Sequence, residues 1–526
     1  MKTLKNFYIF LFCNIYFFSY SQERLNLNLI SNFSYEQEIF DIWGYTFEEQ
    51  IDSTIIKREF ALVGAQNGIS IVEITNPETP IEIAFFDGVT STHRDIKTWQ
   101  NFLYCVNETS SGLQIVDLNE VISGNIDIAY SENLDLNFNE AHNLFIDENG
   151  FLYVFGPNYP TIPDGCQIYD LNIDPMNPIF KGSIDEFYIH DGMVRGDTLW
   201  AAGIYAGFFA VIDVSDKTNP NILVTQSTPS NKAHNCWLSD DGNYLFTTDE
   251  VDGGYIASFD VSDINNIEEI DRVQSWSNMT NVMPHNTFVD GNFLVSSYYK
   301  DGIVIHDISQ PSNIIEVGYF DTSLLSGGGS EGAWGVFPYF SSGNIVVSDI
   351  QSGLFILERK FNNASLINGI ISDGITNQPI SQVQVEIVGS NDIVLSDFNG
   401  IYQTGIYDDG IYLINFSLEG YNSLSESVNL NNGQIYIQNV QLFPVEVDVN
   451  QIKNINDNFK AKFYTNIIEI HLSYPQNIQI FNNSGKIVFK KEFSNGKFLI
   501  DLKHLNNGVY FITNSKFNKT FKWIKI

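Results

Sequence analysis

Apolar and polar positions along this chain alternate in short runs broken by Gly, Asp and Asn, and the runs recur. The stretch from His234 shows one unit. His234-Asn-Cys-Trp-Leu238 reads as a short strand, Ser239-Asp-Asp-Gly242 as a tight turn, and Asn243-Tyr-Leu-Phe-Thr-Thr248 as a second strand. The acidic loop Asp249-Glu-Val-Asp-Gly-Gly254 follows, then a third strand from Tyr255 to Val261 and a more polar fourth from Ile267 to Val273. Short strands separated by turn residues at even spacing predict an all-β meander. No unit carries an apolar period of 3.6 residues, which excludes a helical solenoid.

Two registers give the repeat length. His93, His142, His190, His234 and His285 are spaced by 49, 48, 44 and 51 residues, and Trp43 and Trp334, each followed by Gly, stand 50 and 49 residues outside them. An acidic residue closes the third strand at Glu73, Asp117, Asp170, Asp213, Asp260, Asp307 and Glu358. Four strands per unit of roughly 40–50 residues, repeated seven times, predict a seven-bladed β-propeller. The seventh unit stops after its third strand, at Arg359, while Leu25-Asn-Leu-Asn-Leu-Ile30 precedes the first unit. This N-terminal segment is expected to supply the missing outer strand of the seventh blade, which removes an exposed sheet edge.

Composition changes the picture mainly at the ends. Met1 to Ser21 has Lys2 and Lys5, an apolar run from Phe7 to Phe18 and a small-residue site at Ser19-Tyr20-Ser21, the layout of a secretory signal peptide. No later stretch approaches the roughly 20 apolar residues of a spanning helix, so no transmembrane segment is expected in the mature chain. Cys105, Cys166 and Cys236 remain, an odd number at strand positions without a metal-ligand spacing, and they read as buried free thiols. The net charge is −36, yet from Pro444 onward 12 Lys face 6 Asp and Glu. The acidic body repels nucleic acid and anionic membrane, so nucleic acid is set aside as a partner.

The repeats resemble the LVIVD-repeat propellers of the choice-of-anchor B family over about residues 25–360. The resemblance is carried by Arg94-Asp-Ile-Lys97, Ala141-His-Asn-Leu-Phe-Ile-Asp147, the block from His190 to Leu199, the block from His234 to Glu250 and Gly332-Ala-Trp-Gly-Val336. It implies a secreted or surface propeller with variable C-terminal anchors and no established reaction. After Arg359 the period breaks. Leu366-Ile-Asn-Gly-Ile-Ile-Ser-Asp373, Gln378 to Val385 and Ser396-Asp-Phe-Asn-Gly-Ile-Tyr402 are similar to a carboxypeptidase regulatory-like domain, a small β-sandwich without a peptidase. In it Asp397 and Gly400 are expected to shape a hairpin. Asn477 to Val488, Ile500 to Ile512 and Phe521-Lys-Trp-Ile-Lys-Ile526 resemble the type A C-terminal sorting domain of type IX secretion, found in Bacteroidota-like bacteria. Tyr464-Thr-Asn466 stands where such domains usually show Tyr-Pro-Asn-Pro. The chain is therefore expected to comprise a signal peptide (1–21), a seven-bladed propeller (22–360), a regulatory-like β-sandwich (361–443) and a sorting domain (444–526). The route is export via the periplasm to the outer surface or medium, with the type IX secretion machinery as a partner.

In a propeller of this strand order the first strand of each unit lines the central channel. The five His would then ring one mouth, amid loop residues such as Glu108, Asp164, Asp249, Glu250, Asp252, Tyr299 and Asp301. Imidazoles and carboxylates converging on a concavity can bind a divalent metal ion or supply acid–base groups. Metal–nitrogen bonds of about 2.0–2.1 Å prevent five such His from holding one ion, but two or three could, with His142, His234 and His285 as candidates. A repeated His can equally be a buried hydrogen-bonding peg that builds the blade. No H-E-x-x-H pattern, nucleophile elbow or phosphate loop is present; Gly327-Gly-Gly-Ser-Glu-Gly332 lacks the Lys and helix of the last. The leading expectation is a binding protein that recognises a protein or glycan at the propeller rim, through His93, His142, His190, His234, His285, Asp249 and Glu250. The alternative is a metal-dependent hydrolase or oxidase at the same mouth.

Overall fold

The computed structural model describes residues 22–526 apart from 52–53, 135, 159–164, 278–280, 391–392, 446–458, 515–518 and 526. The expected signal peptide lies outside the described residues. The chain forms two compact units, Met1–Asn363 and Ala364–Ile526.

The first unit is a β-propeller. Its described residues form seven antiparallel sheets; in five the strands follow chain order from the channel outward, and in the other two a strand of the N-terminal segment is added outside strands that do. The fifth sheet is typical: Ala233–Leu238, Tyr244–Asp249, Ile256–Asp260 and Glu268–Val273. Middle strands are covered on both faces by neighbouring sheets, so Phe102–Asn107 is buried almost throughout and reads as a continuous apolar run. Outer strands are covered on one side only, and Asn221–Ser227 alternates between exposed and half-buried residues. The core lies between sheets. Phe155, Ile168 and Ile184 of the third pack on Leu199, Ala210 and Ile212 of the fourth. The inner strand Ile39–Ile51 packs on the inner strands Arg94–Trp99 and Ala333–Phe337, which closes the ring.

An innermost strand presents an unpaired edge to the channel, and its buried N–H groups need partners. Side chains from the preceding sheet supply them. Asp41 accepts from the Ile96 N–H at 3.1 Å, Asp95 from Leu144 at 3.2 Å and Asn235 from Thr287 at 3.2 Å. On the outer side, the acids that close the third strands cap turns at five positions. Asp117, Asp170, Asp213, Asp260 and Asp307 each accept the N–H two residues on, at 2.7–3.0 Å. These Asx turns start the connection to the fourth strand. The two Glu differ because their longer side chains reach outward to cations: Glu73 binds Arg58 at 2.6 Å and Glu358 binds Lys360 at 2.6 Å.

The N-terminal segment closes the ring as expected, and serves two sheets. Leu27–Phe33 pairs antiparallel with Gly353–Arg359 of the seventh sheet, while Arg24–Leu25 pairs with Ile315–Phe320 of the sixth. Asn26, at φ 52°, makes the step between them and donates its side-chain amide to the Val317 carbonyl at 2.9 Å.

Cys105, Cys166 and Cys236 are free and buried, and burial pushes the Cys105 thiol up to about 12. All three are therefore expected to be inert toward a thiol-specific chromogenic reagent at pH 8 and to react together on unfolding. Reaction in the native protein at the rate of a small thiol would contradict this placement.

In the second unit, Val383, Val385 and Ile387 are fully buried while Gln384 is exposed, the alternation of a half-buried strand. Asp397 accepts the N–H groups of Asn399 and Ile401 at 2.8 and 2.7 Å. Gly400 sits at φ +74°, where a Cβ would lie 2.4 Å from the Ile371 carbonyl oxygen. Residues from Phe459 onward have their own core, centred on Ile468, Ile470, Ile478, Ile512 and Trp523. Their strands form a three-stranded and a four-stranded sheet.

Candidate functional site

The inner strands deliver one aromatic side chain each to the same end of the channel. His142, His190 and His285 are the residues where the first strand begins to pair, each donating its N–H to the second strand at 3.1, 2.8 and 2.9 Å. In the fifth and seventh sheets a bulge between Ala233 and Asn235, and between Ala333 and Gly335, turns out His234 and Trp334 at that place. The result is a closed collar. Ring centroids run from His93 to His142 at 5.6 Å, to His190 at 4.0 Å, to His234 at 4.3 Å, to His285 at 4.3 Å, to Trp334 at 4.6 Å, and back to His93 at 5.0 Å.

The first repeat contributes Phe40, not Trp43. Phe40 stacks on His93 at 6.2 Å and meets Trp334 edge-on at 5.5 Å. A bulge between Ile39 and Ile42 turns it toward the collar as the other bulges turn His234 and Trp334. Trp43 lies three residues further along, against Phe288 and Phe337, with the Lys97 ammonium 4.7 Å from its ring centroid. The signal was present in the chain: Ile39-Phe40-Asp41 parallels Ile189-His190-Asp191. The Trp-Gly pairing at residues 43 and 334 masked it.

Under the collar the channel is filled. The space bounded by Arg94, Asp95, Asn143, Asn286 and the undersides of the imidazoles is about 10 Å³, room for one water at most. Lys97 is buried there, bonded to Asp95 at 2.9 Å and Asp41 at 3.3 Å. Burial works against its charge, but the two carboxylates outweigh burial and raise its pKa. Asp95 is pushed well up, by burial first and then by the charge of Asp41, with Lys97 opposing. Arg94, also buried, donates to the Ala65 carbonyl at 2.7 Å and to Gln114 at 2.6 Å.

Above the collar the mouth opens into a cavity of about 420 Å³, floored by His93, His142 and His190 and walled by Glu108, Glu140, Tyr188, Ile204, Tyr205 and Glu250. Glu108 bridges two of the imidazoles, with His142 Nδ1 at 2.6 Å and His93 Nδ1 at 2.9 Å. Burial pushes its carboxyl up, but the hydrogen bonds and charges of the two His prevail and hold it far below the usual range. On the opposite side burial alone dominates. His190 and His234 are driven well below the ordinary imidazole value, and His285 down to about 3, with neighbouring imidazoles adding to the effect. Burial raises Glu250, which accepts the Tyr299 hydroxyl at 2.5 Å. The collar thus faces the Glu108 carboxylate on one side and has a neutral arc from His190 to His285 on the other.

Of the expected site residues, all five His reach the collar and Glu250 reaches the cavity. Asp249 does not. Strand alternation turns it away from Glu250, and its buried carboxylate accepts from the Thr228 hydroxyl at 2.5 Å and the N–H groups of Ser230 and Lys232 at 2.6 and 3.0 Å. Asp301 likewise holds a loop, through the hydroxyls of Ser275 and Ser277. Asp164 lies outside the described residues. Of the metal candidates, His142 is engaged by Glu108, and His285 Nδ1 meets the Trp334 carbonyl at 2.6 Å. Among the described residues, the group of three whose ligand atoms come together is His190, His234 and Glu250. Glu140, Tyr188, Ile204 and Tyr205 were not signalled: Glu140 and Tyr188 each stand two residues before a collar His, but the residue type there varies between repeats, and Ile204 and Tyr205 lie in a connecting loop.

Comparison with known families agrees with the repeat pattern and the tail. Residues 52–87, 204–228 and 285–322 match the LVIVD repeat, and residues 464–526 match the secretion system C-terminal sorting domain. The chain therefore carries LVIVD repeats and a type IX sorting tail. It is an exported protein, secreted or held at the cell surface, whose tail engages the secretion machinery. No curated protein matches it. Among solved structures, the Cps50 (Swd1) β-propeller domain of Myceliophteria thermophila is 13% identical. That match covers 63% of this chain and 99% of that one, with a TM-score of 0.43. The computationally designed Ika8 protein is 11% identical, over 61% and 96%, with a TM-score of 0.39.

Proposed function

We propose that this chain is a cell-surface or secreted glycan-binding protein of the choice-of-anchor B type, with the mouth cavity of a seven-bladed propeller as its binding site. The regulatory-like sandwich serves as a spacer, and the tail directs export through the periplasm. The observation that carries the reading is the cavity of about 420 Å³ above a blocked channel. Its volume suits a small ligand or the end of a larger one, about 300–1,000 Å³ being usual for such sites.

Its lining favours a sugar. Tyr188 and Tyr205 stand 5.1 Å apart, ring to ring, on one wall, and Tyr205 is 63% exposed. Aromatic faces bury the apolar face of a pyranose at little entropic cost. Glu108 and Glu140 offer carboxylate oxygens to its hydroxyls, and charge-assisted hydrogen bonds of this kind fix orientation. The body's negative charge favours a neutral or amino sugar over an acidic one.

A glycan array probed with metal-free protein tests this. Neutral or amino glycans should bind, and Tyr205→Ala, at an exposed site that leaves the core intact, should weaken binding about tenfold or more. Binding only to a protein partner, or glycan binding indifferent to Tyr205, would contradict the proposal.

A further inference from the structure

On the neutral arc, His190, His234 and Glu250 bring one ligand atom each to within 4.8 Å of one another. His234 Nε2 is already 3.7 Å from Glu250 Oε2. Both imidazoles are over nine-tenths buried.

We infer that His190, His234 and Glu250 form a binding site for one divalent first-row transition-metal ion, with an open coordination position facing the mouth cavity. Two imidazoles and a carboxylate make the donor set of open zinc sites and of facial-triad iron sites. Bonds of about 2.0–2.2 Å place tetrahedral ligand atoms about 3.3–3.5 Å apart. The His234–Glu250 pair is close to that spacing, and the widest separation closes by a little over 1 Å, within reach of small side-chain rotations.

The surroundings suit the role. Tyr299 donates to Glu250 Oε1 and leaves Oε2 toward His234, a hydrogen bond that orients a ligating carboxylate. His142 and His285 flank the group but have their Nδ1 atoms committed to Glu108 and the Trp334 carbonyl. The inference is independent of a glycan occupying the cavity, since it concerns the floor of the site and the ion alone.

The test is calorimetric titration of chelator-stripped full-length protein with zinc chloride. One zinc ion per chain is expected, with affinity at least tenfold weaker in Glu250→Gln and His234→Asn, and about tenfold weaker in Tyr299→Phe. X-ray absorption at the zinc edge of the wild-type protein gives a readout that does not depend on variant folding, and two imidazole nitrogens with oxygen ligands are expected. No stoichiometric binding, affinity unchanged in the variants, or an all-oxygen shell would overturn the site and assign any bound zinc to surface carboxylates. Each of these results leaves the array measurement on metal-free protein unaffected.

Discussion

Deleting Glu23 to Phe33 should lower the melting temperature of the propeller by about 10 °C or more. The segment pairs with the outer strands of two sheets, along Ile315–Phe320 and Gly353–Arg359, and buries Leu27 fully. Its removal breaks two ladders and exposes apolar surface. It also leaves the seventh sheet with three strands. A loss of several kcal/mol is expected, and in a domain this large each kcal/mol moves the midpoint by about 2–4 °C or less. Two freed edges would also template association, so the truncated protein should aggregate on heating where the parent does not. Differential scanning calorimetry with light scattering reads both effects. An unchanged midpoint would mean that the ring closes without its N-terminal latch.

The second large effect lies under the collar. Lys97→Met should destabilise the protein by about 3–5 kcal/mol, because it leaves the buried carboxylates Asp41 and Asp95 without their cation. Adding Asp95→Asn should recover much of the loss, since an amide still accepts the Leu144 N–H without carrying a charge. The pH dependence has a definite sign. The Asp95 carboxyl titrates higher in the folded protein than in the unfolded chain, so the native state binds its proton more tightly. That contribution is fully present below the unfolded carboxylate range and is lost as pH rises through the raised folded value. Losing the ammonium raises that folded value further, so the deficit of Lys97→Met relative to the parent should shrink between pH 7 and pH 5. Urea unfolding at the two pH values measures it. A deficit that is constant or grows on acidification would show that the carboxylates do not feel Lys97.

Much of the architecture is legible in the chain because a propeller repeats its local rules. The His spacing, the acidic residue that closes each third strand and the apolar middle strands all arise within one sheet and its covering neighbours. The N-terminal latch is legible for the same reason, as a strand without a unit and a unit without a strand. What failed was register where a bulge intervenes. Phe40 and Trp43 differ by three residues, and only the two-against-one pairing after Ile39 decides which of them enters the collar.

The site is less legible than the fold. Asp249 and Glu250 are adjacent and acidic, yet one is consumed by a loop and the other faces the cavity, a difference set by pairing to residue 233 and by the hydroxyl of Thr228. The continuous ring-to-ring contact of five imidazoles and Trp334, and the placing of Glu108 against only one arc of the collar, depend on contacts between repeats that no single repeat encodes. Tyr188, Tyr205 and Glu140 meet only because loops of the third and fourth units converge over the same mouth.

The central claim is that the His collar closes the channel and leaves the mouth cavity as the place where ligand binds. A crystal structure of the protein with the strongest neutral or amino glycan from the array tests it most directly. The account predicts sugar density above the collar, stacked on Tyr188 and Tyr205 with hydroxyls on Glu108 or Glu140. Density on an outer blade face or at the opposite end of the channel, with the mouth cavity holding only water, would contradict it.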